Sequence, residues 1–301
     1  MSWLPDETIG RLRRKLEEPD LTGTSLELGP EIGRGGMGTV YVAHDRQLSR
    51  DVALKVLHST LDTREAAERI LREARILARL EHPGIVPIHS AGLLPDERVY
   101  YVMKLVHGTR LDQYMETKPG LAETLRLFQR VCEPVAFAHS HQVIHRDLKP
   151  QNIMVGEFGE VLVLDWGVAK VAGEEDGTIA GTAEYMSPEQ HQGYADARSD
   201  VFALGKVLAF ILNPAITGEL IPAPVRSVIR KACAEDAAVR YESAEALNAE
   251  ITRFLNGYPV TAHREGVFEL LERLYERNRT WVLLVAAYLV MRILIFLFSW
   301  L

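Results

Sequence analysis

The stretch His145-Arg146-Asp147-Leu148-Lys149-Pro150-Gln151-Asn152 decides the fold of this chain. It brings a carboxylate, an ammonium group and an amide together within one short loop, directly after a segment whose apolar spacing predicts a helix at about 121–141. The chain has 301 residues, of which 47% are hydrophobic and 25% are charged. This size and composition predict a folded protein with room for two lobes rather than one small core.

Further motifs follow this stretch in the sequence. Asp165-Trp166-Gly167 comes directly after an apolar run at 161–164. The segment from Gly181 to Glu189 ends in Ser-Pro-Glu, and Arg240 lies well beyond it. Apolar spacing also predicts helices at about 199–212, 223–234 and 243–255. The second half of the chain is therefore predicted to be mainly helical.

The part of the chain before these motifs is predicted to be rich in strands, at about 25–57, 86–88 and 99–106. Gly33 to Val40 is a glycine-rich turn between two of these strands. Glycines let backbone N–H groups approach a phosphate closely, although such turns also simply join strands. Lys55 lies inside an apolar strand, where a buried ammonium group needs anionic partners. A predicted helix at 64–80 offers Glu73 as one such partner.

Together, these motifs resemble in content and order those of the eukaryotic-like (Hanks-type) bacterial Ser/Thr protein kinase family, in its membrane-anchored form. The resemblance covers about Leu26 to Leu255. It implies an α+β, two-lobed protein-kinase fold, with a strand-rich N-lobe at 25–107 and a helical C-lobe at 108–259. Residues 1–24 are interpreted as a lead-in segment.

The resemblance also implies the cofactors and the roles of the catalytic residues. ATP and Mg²⁺ would be used, with Asn152 and Asp165 as oxygen ligands of the metal. Asp147 would orient the substrate hydroxyl and accept its proton, and Lys149 would neutralise charge on the transferring phosphate. The remaining catalytic residues would be Lys55 on the α- and β-phosphates, Glu73 orienting Lys55, and Thr182 near Asp147. The implied nucleotide-binding residues are Ile32, Gly33, Gly35, Gly36, Gly38, Val40, Ala53, Lys55, Met103, Leu105 and Met154.

The sequence departs from the family pattern at two places, and each departure leads to a prediction. Trp166 replaces the usual Phe after the metal-binding Asp, and we interpret it as a tolerated apolar ring that slows movement of this segment. The region at 213–224 is short and broken by prolines, which predicts a shortened or absent substrate-docking helix. For regulation, Arg146 before Asp147 goes with control by phosphorylation in the family, and Thr178 is the predicted autophosphorylation site.

The C-terminal stretch 281–300 is predicted to be a transmembrane helix. Its length suits a bilayer core of about 30 Å, it carries Trp at both ends, and arginines precede it. Placing Arg292 in the bilayer costs about 2.5 to 3.5 kcal/mol of insertion free energy, which the apolar residues of the helix can offset. The expected location is the cell membrane, single-pass, with the kinase domain cytoplasmic and 281–300 in contact with lipid. An apolar stripe in the juxtamembrane segment 260–280 fits a surface helix, a homodimer contact or a helix packed on the kinase.

Two other functional classes compete with a protein kinase whose partners are ATP and protein substrates. One is a nucleotide-binding pseudokinase scaffold, and the other is a small-molecule kinase of the same fold. The latter is disfavoured by the segment from Gly181 to Glu189, which seats a peptide in the relatives. The net charge of −7 argues against a nucleic-acid partner.

Overall fold

The computed structural model describes residues 18–35, 38–58, 74–75, 78–166, 170–171, 181–218, 220–264, 266 and 279–298. The assignments made from sequence for Gly36, Glu73 and Thr178 lie outside these residues. The predicted helix at 64–80 and the juxtamembrane segment 260–280 also lie largely outside them.

The N-lobe is built on one antiparallel sheet of five strands in the order β1-β2-β3-β5-β4. The strands are β1 (Leu26–Arg34), β2 (Gly38–Asp45), β3 (Arg50–Leu57), β4 (Ile88–Leu93) and β5 (Val99–Lys104). Six consecutive residues of β3, from Val52 onward, are buried, because β3 is the central strand and both of its faces are covered. Leu21, before the first strand, packs on this lobe's core beside Leu26 and Leu54.

One predicted strand position is wrong. The strand expected at 86–88 instead runs from Ile88 to Leu93, and its partner β5 ends at Lys104 rather than continuing to 106. β4 contains small and polar residues that do not give an apolar strand pattern. They are tolerated because β4 is the edge strand and pairs only with β5.

The C-lobe is mainly helical, and the four predicted helices in it are confirmed to within a few residues. Its helices are α1 (Leu111–Tyr114), α2 (Leu121–Ser140), α3 (Ala197–Ile211), α4 (Pro214–Thr217), α5 (Ala223–Ala232) and α6 (Ala244–Leu255). Asp196 starts α3 with a capping box that it shares with Ser199, and Ser243 caps α6. In the region predicted to be short, the described residues before α5 form the single helical turn α4, which ends at Gly218 in the left-handed conformation.

Short strands place the loops of the C-lobe. They are β6 (Gly108–Arg110), β7 (Val143–Ile144), β8 (Ile153–Gly156), β9 (Val161–Val163) and β10 (Lys170–Val171). β6, β8 and β9 form one sheet, and β7 pairs with β10. The stretch His145 to Lys149 therefore lies between β7 and β8, and Asp165 closely follows β9.

The last helix, α7 (Arg279–Phe298), is apolar, and every residue from Trp281 to Phe296 in it is exposed. By length and composition alone, one helical stretch of the described residues could cross a membrane, namely Ala197–Thr217. That stretch contains α3, whose central residues form the core of the C-lobe, so it is a core segment of the folded domain. The apolar stretch with described side chains in α7, Trp281–Phe296, is shorter.

Candidate active site

The loop that carries Asp147 is held from behind by a buried carboxylate. Asp200, near the start of α3, is 1% exposed and accepts the backbone N–H groups of His145 and Arg146 at 2.8 and 2.9 Å. His139 lies 2.8 Å from the same carboxylate. Burial raises the pKa of Asp200, but the hydrogen bond and charge of His139 outweigh it, so the pKa is lowered. The sequence placed Asp200 on a buried helix without revealing this role, because its partners are distant in the chain.

Asp147 is the centre of a set of polar side chains. Its Oδ1 accepts the hydroxyl of Thr182 at 2.8 Å, and its Oδ2 accepts the ammonium group of Lys149 at 2.8 Å. The Lys149 ammonium group also donates to the Thr182 hydroxyl at 2.7 Å. These three residues thus form a closed triangle of hydrogen bonds. Thr182, predicted to lie near Asp147, is in direct contact with it.

Asn152 closes the same loop from its other end. Its amide nitrogen donates to the backbone carbonyl of Asp147 at 2.8 Å and to the carboxylate Oδ2 at 3.0 Å. Both amide hydrogens are therefore used, and the amide oxygen remains as the atom of Asn152 able to bind a cation. The backbone N–H of Leu164 donates to the carbonyl of Asn152 at 2.7 Å, which places the segment at Asp165 beside this loop. An amide oxygen and a carboxylate are ligands that suit Mg²⁺.

Lys55 joins the N-lobe to the segment after β9. It is 4% exposed, and its ammonium group donates a hydrogen bond to Asp165 Oδ1. The ring of Tyr101, its neighbour on β5, has its centroid 5.7 Å from the ammonium nitrogen. Burial lowers the pKa of Lys55, but the charges and hydrogen bonds of Tyr101 and Asp165 outweigh it and raise the pKa. The lysine is therefore cationic, as binding a phosphate requires.

Asp165 is the anionic partner of the Lys55 ammonium group. Burial raises the pKa of its carboxyl group, but the charge and hydrogen bond of Lys55 outweigh it, with further lowering by the charge of Lys149. The net pKa is lowered, so the carboxylate is ionised and has the charge that a divalent cation requires.

His145 supports this segment in one tautomer. Its Nε2 lies 2.9 Å from the carbonyl of Leu164, and its Nδ1 accepts the backbone N–H of Asp147 at 3.2 Å. A carbonyl can only accept and a backbone N–H can only donate, so the proton of the neutral ring is on Nε2. His145 thereby connects the loop of Asp147 to the segment of Asp165.

The glycines of the turn between β1 and β2 differ in whether the surrounding atoms leave room for a side chain. A Cβ on Gly38 would lie 2.5 Å from the carbonyl oxygen of Val56, so the sheet itself requires this glycine. Among the described residues, a Cβ on Gly33 would meet only Val40 at 4.0 Å, and one on Gly35 would meet nothing within 4 Å. The packing of this described part of the chain does not require glycine at these two positions. They fit a backbone that a phosphate approaches closely.

The other residues assigned to nucleotide binding lie on both sides of the junction between the lobes. Val40, Ala53 and Met103 lie on β2, β3 and β5, with Ala53 and Met103 opposite each other. Met154 lies on β8, and Leu105 follows β5. Ile32, on β1, is 52% exposed.

The segment from Gly181 to Glu189 is anchored at both ends. Gly181 has φ +123°, and a Cβ there would lie 2.6 Å from the carbonyl oxygen of Arg146, so glycine is required. At the other end, Glu189 forms a two-pronged ion pair with Arg240, with N–O distances of 2.7 and 2.9 Å. The ion pair joins two motifs that the sequence analysis had noted separately. It holds Thr182 against Asp147 by fixing the segment that carries it.

Comparison with known proteins gives a consistent result. The family model described as protein kinase domain matches residues 26–257. A probable serine/threonine-protein kinase of Streptomyces coelicolor, SCO3848, is 33% identical over 284 residues, covering 82% of this chain and 42% of its own length. The serine/threonine-protein kinase PknD of Chlamydia pneumoniae is 33% identical over 287 residues, covering 76% of this chain and 31% of its own length. The chain thus spans less than half the length of these curated relatives.

A solved structure shares the architecture. The crystal structure of the Mycobacterium tuberculosis PknI kinase domain superposes with a TM-score of 0.62 at 25% sequence identity. The superposition covers 76% of this chain and 96% of that domain.

Proposed function

Because this chain belongs to the protein kinase domain family, we propose that it transfers the γ-phosphate of ATP to Ser or Thr hydroxyl groups of proteins. The observation that carries this proposal is the hydrogen-bonded triangle of Asp147, Lys149 and Thr182. Two features support the Ser/Thr class, namely the serine/threonine-protein kinases among the relatives and Lys149, two residues after Asp147.

The geometry suits phosphoryl transfer, in which catalysis consists mainly of positioning and charge stabilisation. Asp147 orients the acceptor hydroxyl and takes its proton, while Lys149 lies beside it to stabilise charge on the transferring group. Lys55 binds phosphate oxygens of ATP from the N-lobe side. Mg²⁺, which Asp165 and the amide oxygen of Asn152 would hold, supplies neutralisation of the phosphate charge.

The variant Asp147→Asn tests the proposal against a pseudokinase scaffold. Removing a positioned general base costs typically 10²- to 10⁴-fold in rate, so we expect a loss in that range for γ-phosphate transfer from labelled ATP to a generic protein substrate. ADP affinity, measured by calorimetry, serves as the folding control and should stay near the wild-type value. Equal transfer by both proteins, or none by the wild type, would contradict the proposal.

For regulation, we propose autophosphorylation at Thr178. The support is its position between Gly167 and Thr182 and the presence of Arg146 directly before Asp147, since a phosphate adds acceptors that an arginine can bind. Thr178→Ala should lower both phosphate incorporation and the rate on an external substrate, with Thr178→Ser as the matched control that restores both. Unchanged incorporation in Thr178→Ala would reject this site.

For location, we propose that α7 spans the cell membrane once, with the kinase domain cytoplasmic. Its support is a helix of 20 residues, about 30 Å long, whose described side chains are all exposed. Leu289→Arg adds a second charge at mid-helix, at a cost of about 2.5 to 3.5 kcal/mol on insertion scales, and should release protein from the membrane fraction. Leu289→Ala is the control, and retention of Leu289→Arg after carbonate extraction would count against a span.

For substrate choice, we propose that recognition depends on proximity at the membrane. The support is the single turn of α4, which is too short for a docking helix. Separately, the apolar stripe in the juxtamembrane segment supports a homodimer contact there. A peptide library should show selection only close to the acceptor residue. Stringent selection at distant positions would reject the idea, and cross-linking in vesicles tests the homodimer.

A further inference from the structure

Trp166, directly after Asp165, makes a contact that is specific to tryptophan. It is 6% exposed, and its indole N–H donates a hydrogen bond to the carbonyl of Val163 at 3.1 Å. Its ring also packs on that of His145, with centroids 4.5 Å apart. The side chain is thus held by a polar contact on one side and a ring contact on another.

The acceptor of this hydrogen bond belongs to a fixed element. Val163 is the last residue of β9 and lies opposite Ile153 on β8. On its other side, its backbone N–H donates to the carbonyl of Gly84 at 2.8 Å. The indole is therefore tied to a strand that is itself bound to two other segments.

Asp165 needs this kind of support because of its backbone conformation. Its φ is +55°, in the left-handed region that aspartate adopts more readily than most residues but that is still less favourable than the ordinary backbone conformations, so neighbouring contacts help to hold it there. Before it, Leu164 is held at both its N–H, by Asn152, and its carbonyl, by His145. After it, the described support is Trp166.

From this geometry we propose that Trp166 is a positioning residue, whose bond to the Val163 carbonyl holds the Asp165 carboxylate in place for Mg²⁺. The inference rests on the proposed function, because it assigns Asp165 to the metal. Phenylalanine could keep the packing on His145, but it has no N–H, so it would lose the bond to β9. The larger indole thus adds a directional constraint that ring size alone does not provide.

The variant Trp166→Phe isolates this bond. We would measure the affinity of the full-length chain for ADP by calorimetry, once in excess EDTA and once with saturating Mg²⁺. The ratio of the two dissociation constants reports how much Mg²⁺ increases the affinity for ADP. We expect the value in EDTA to stay near that of the wild type, and the gain on adding Mg²⁺ to fall about fivefold, the factor given by one hydrogen bond of roughly 1 kcal/mol.

The control variant is Ile251→Val, which removes one methylene from the same C-lobe core, at a fully buried position on α6. It should lower the melting temperature without changing the gain from Mg²⁺. If the gain in ADP affinity on adding Mg²⁺ were the same in Trp166→Phe as in the wild type, the positioning role would be rejected. This includes the case in which the affinity falls equally in EDTA and in Mg²⁺. A wild type that gains affinity from Mg²⁺ but transfers no phosphate would refute the proposed function and leave the inference standing.

Discussion

Thr182 connects the segment from Gly181 to Glu189 to the loop of Asp147 through a single hydroxyl group. That hydroxyl donates to Asp147 Oδ1 at 2.8 Å and accepts from Lys149 at 2.7 Å. Both partners are charged, and hydrogen bonds to charged groups are worth more than neutral ones. The hydroxyl therefore fixes the position of the Asp147 carboxylate relative to the Lys149 ammonium group.

We expect Thr182→Val, which keeps the shape and removes the hydroxyl, to lower kcat about tenfold, equal to roughly 1.4 kcal/mol. The KM for ATP should stay close to the wild-type value, because Lys149, the partner of Thr182, is assigned to charge that develops during transfer, and no described residue assigned to nucleotide binding hydrogen-bonds to Thr182. Steady-state kinetics with a protein substrate measures both constants. Thr182→Ser keeps the hydroxyl and should retain most of the rate; a low kcat in both variants would show that the methyl group, not the hydroxyl, matters.

Among elements, the connection between Glu189 and Arg240 joins the segment before α3 to the chain after α5. The Arg240 side chain is 0% exposed, and it also donates to the backbone carbonyls of Arg198, Ala234 and Glu235. Burial raises the pKa of Glu189, but the hydrogen bonds of Arg240 outweigh it, and the pKa is lowered from 4.5 to about 2. A buried guanidinium without its carboxylate is costly.

The sign of the resulting pH dependence follows from this lowered pKa. The ion pair of Glu189 with Arg240 stabilises the fold fully when the pH is above about 4.5, the ordinary pKa of glutamate. This stabilisation is lost as the pH falls toward about 2. We expect Glu189→Gln to destabilise the fold by about 3 kcal/mol at pH 7, with the difference from wild type shrinking as the pH falls through this window. Chemical denaturation across pH measures it. Glu184→Gln, at an exposed position in the same segment, is the control, and a difference independent of pH would contradict the prediction.

In the molecule as a whole, the chain beyond α6 stays bound to the C-lobe before it leads toward α7. Glu250 on α6 is 4% exposed and accepts the backbone N–H groups of Thr261 and Ala262 at 2.7 and 3.3 Å. Val260 is buried in the core of the C-lobe, and His263 lies 3.1 Å from the hydroxyl of Ser227 on α5. These contacts hold residues 260–263 against the C-lobe.

We expect Glu250→Gln to loosen this attachment, because a neutral amide oxygen accepts the two N–H groups more weakly than the carboxylate oxygen Oε2 does. The loss should be about 1 to 2 kcal/mol of unfolding free energy. The backbone amides of Thr261 and Ala262 should exchange faster in hydrogen exchange. Glu245→Gln, an exposed position on the same helix, should leave both quantities unchanged. Unaltered exchange at 261–262 in Glu250→Gln would show that Val260, rather than Glu250, holds the segment.

Much of the fold could be predicted from the sequence because its signals are local. The helices α2, α3, α5 and α6 follow from apolar spacing and end within a few residues of the predicted bounds. β4 could not be placed, because an edge strand is specified by its pairing with β5 rather than by its own residues.

The sequence by itself determined the identity and order of the polar groups of this site, Asp147, Lys149, Asn152, Asp165 and Lys55, because the motifs that carry them resemble in content and order those of the protein kinase family. Only the tertiary structure decided what holds them. Asp200 anchors the loop backbone from a helix far along the chain, and the hydrogen bond of Trp166 to Val163 holds the segment after β9. Sequence spacing carries no record of such contacts, because a buried polar group finds its partner in space, wherever the folded chain brings a donor within about 3 Å.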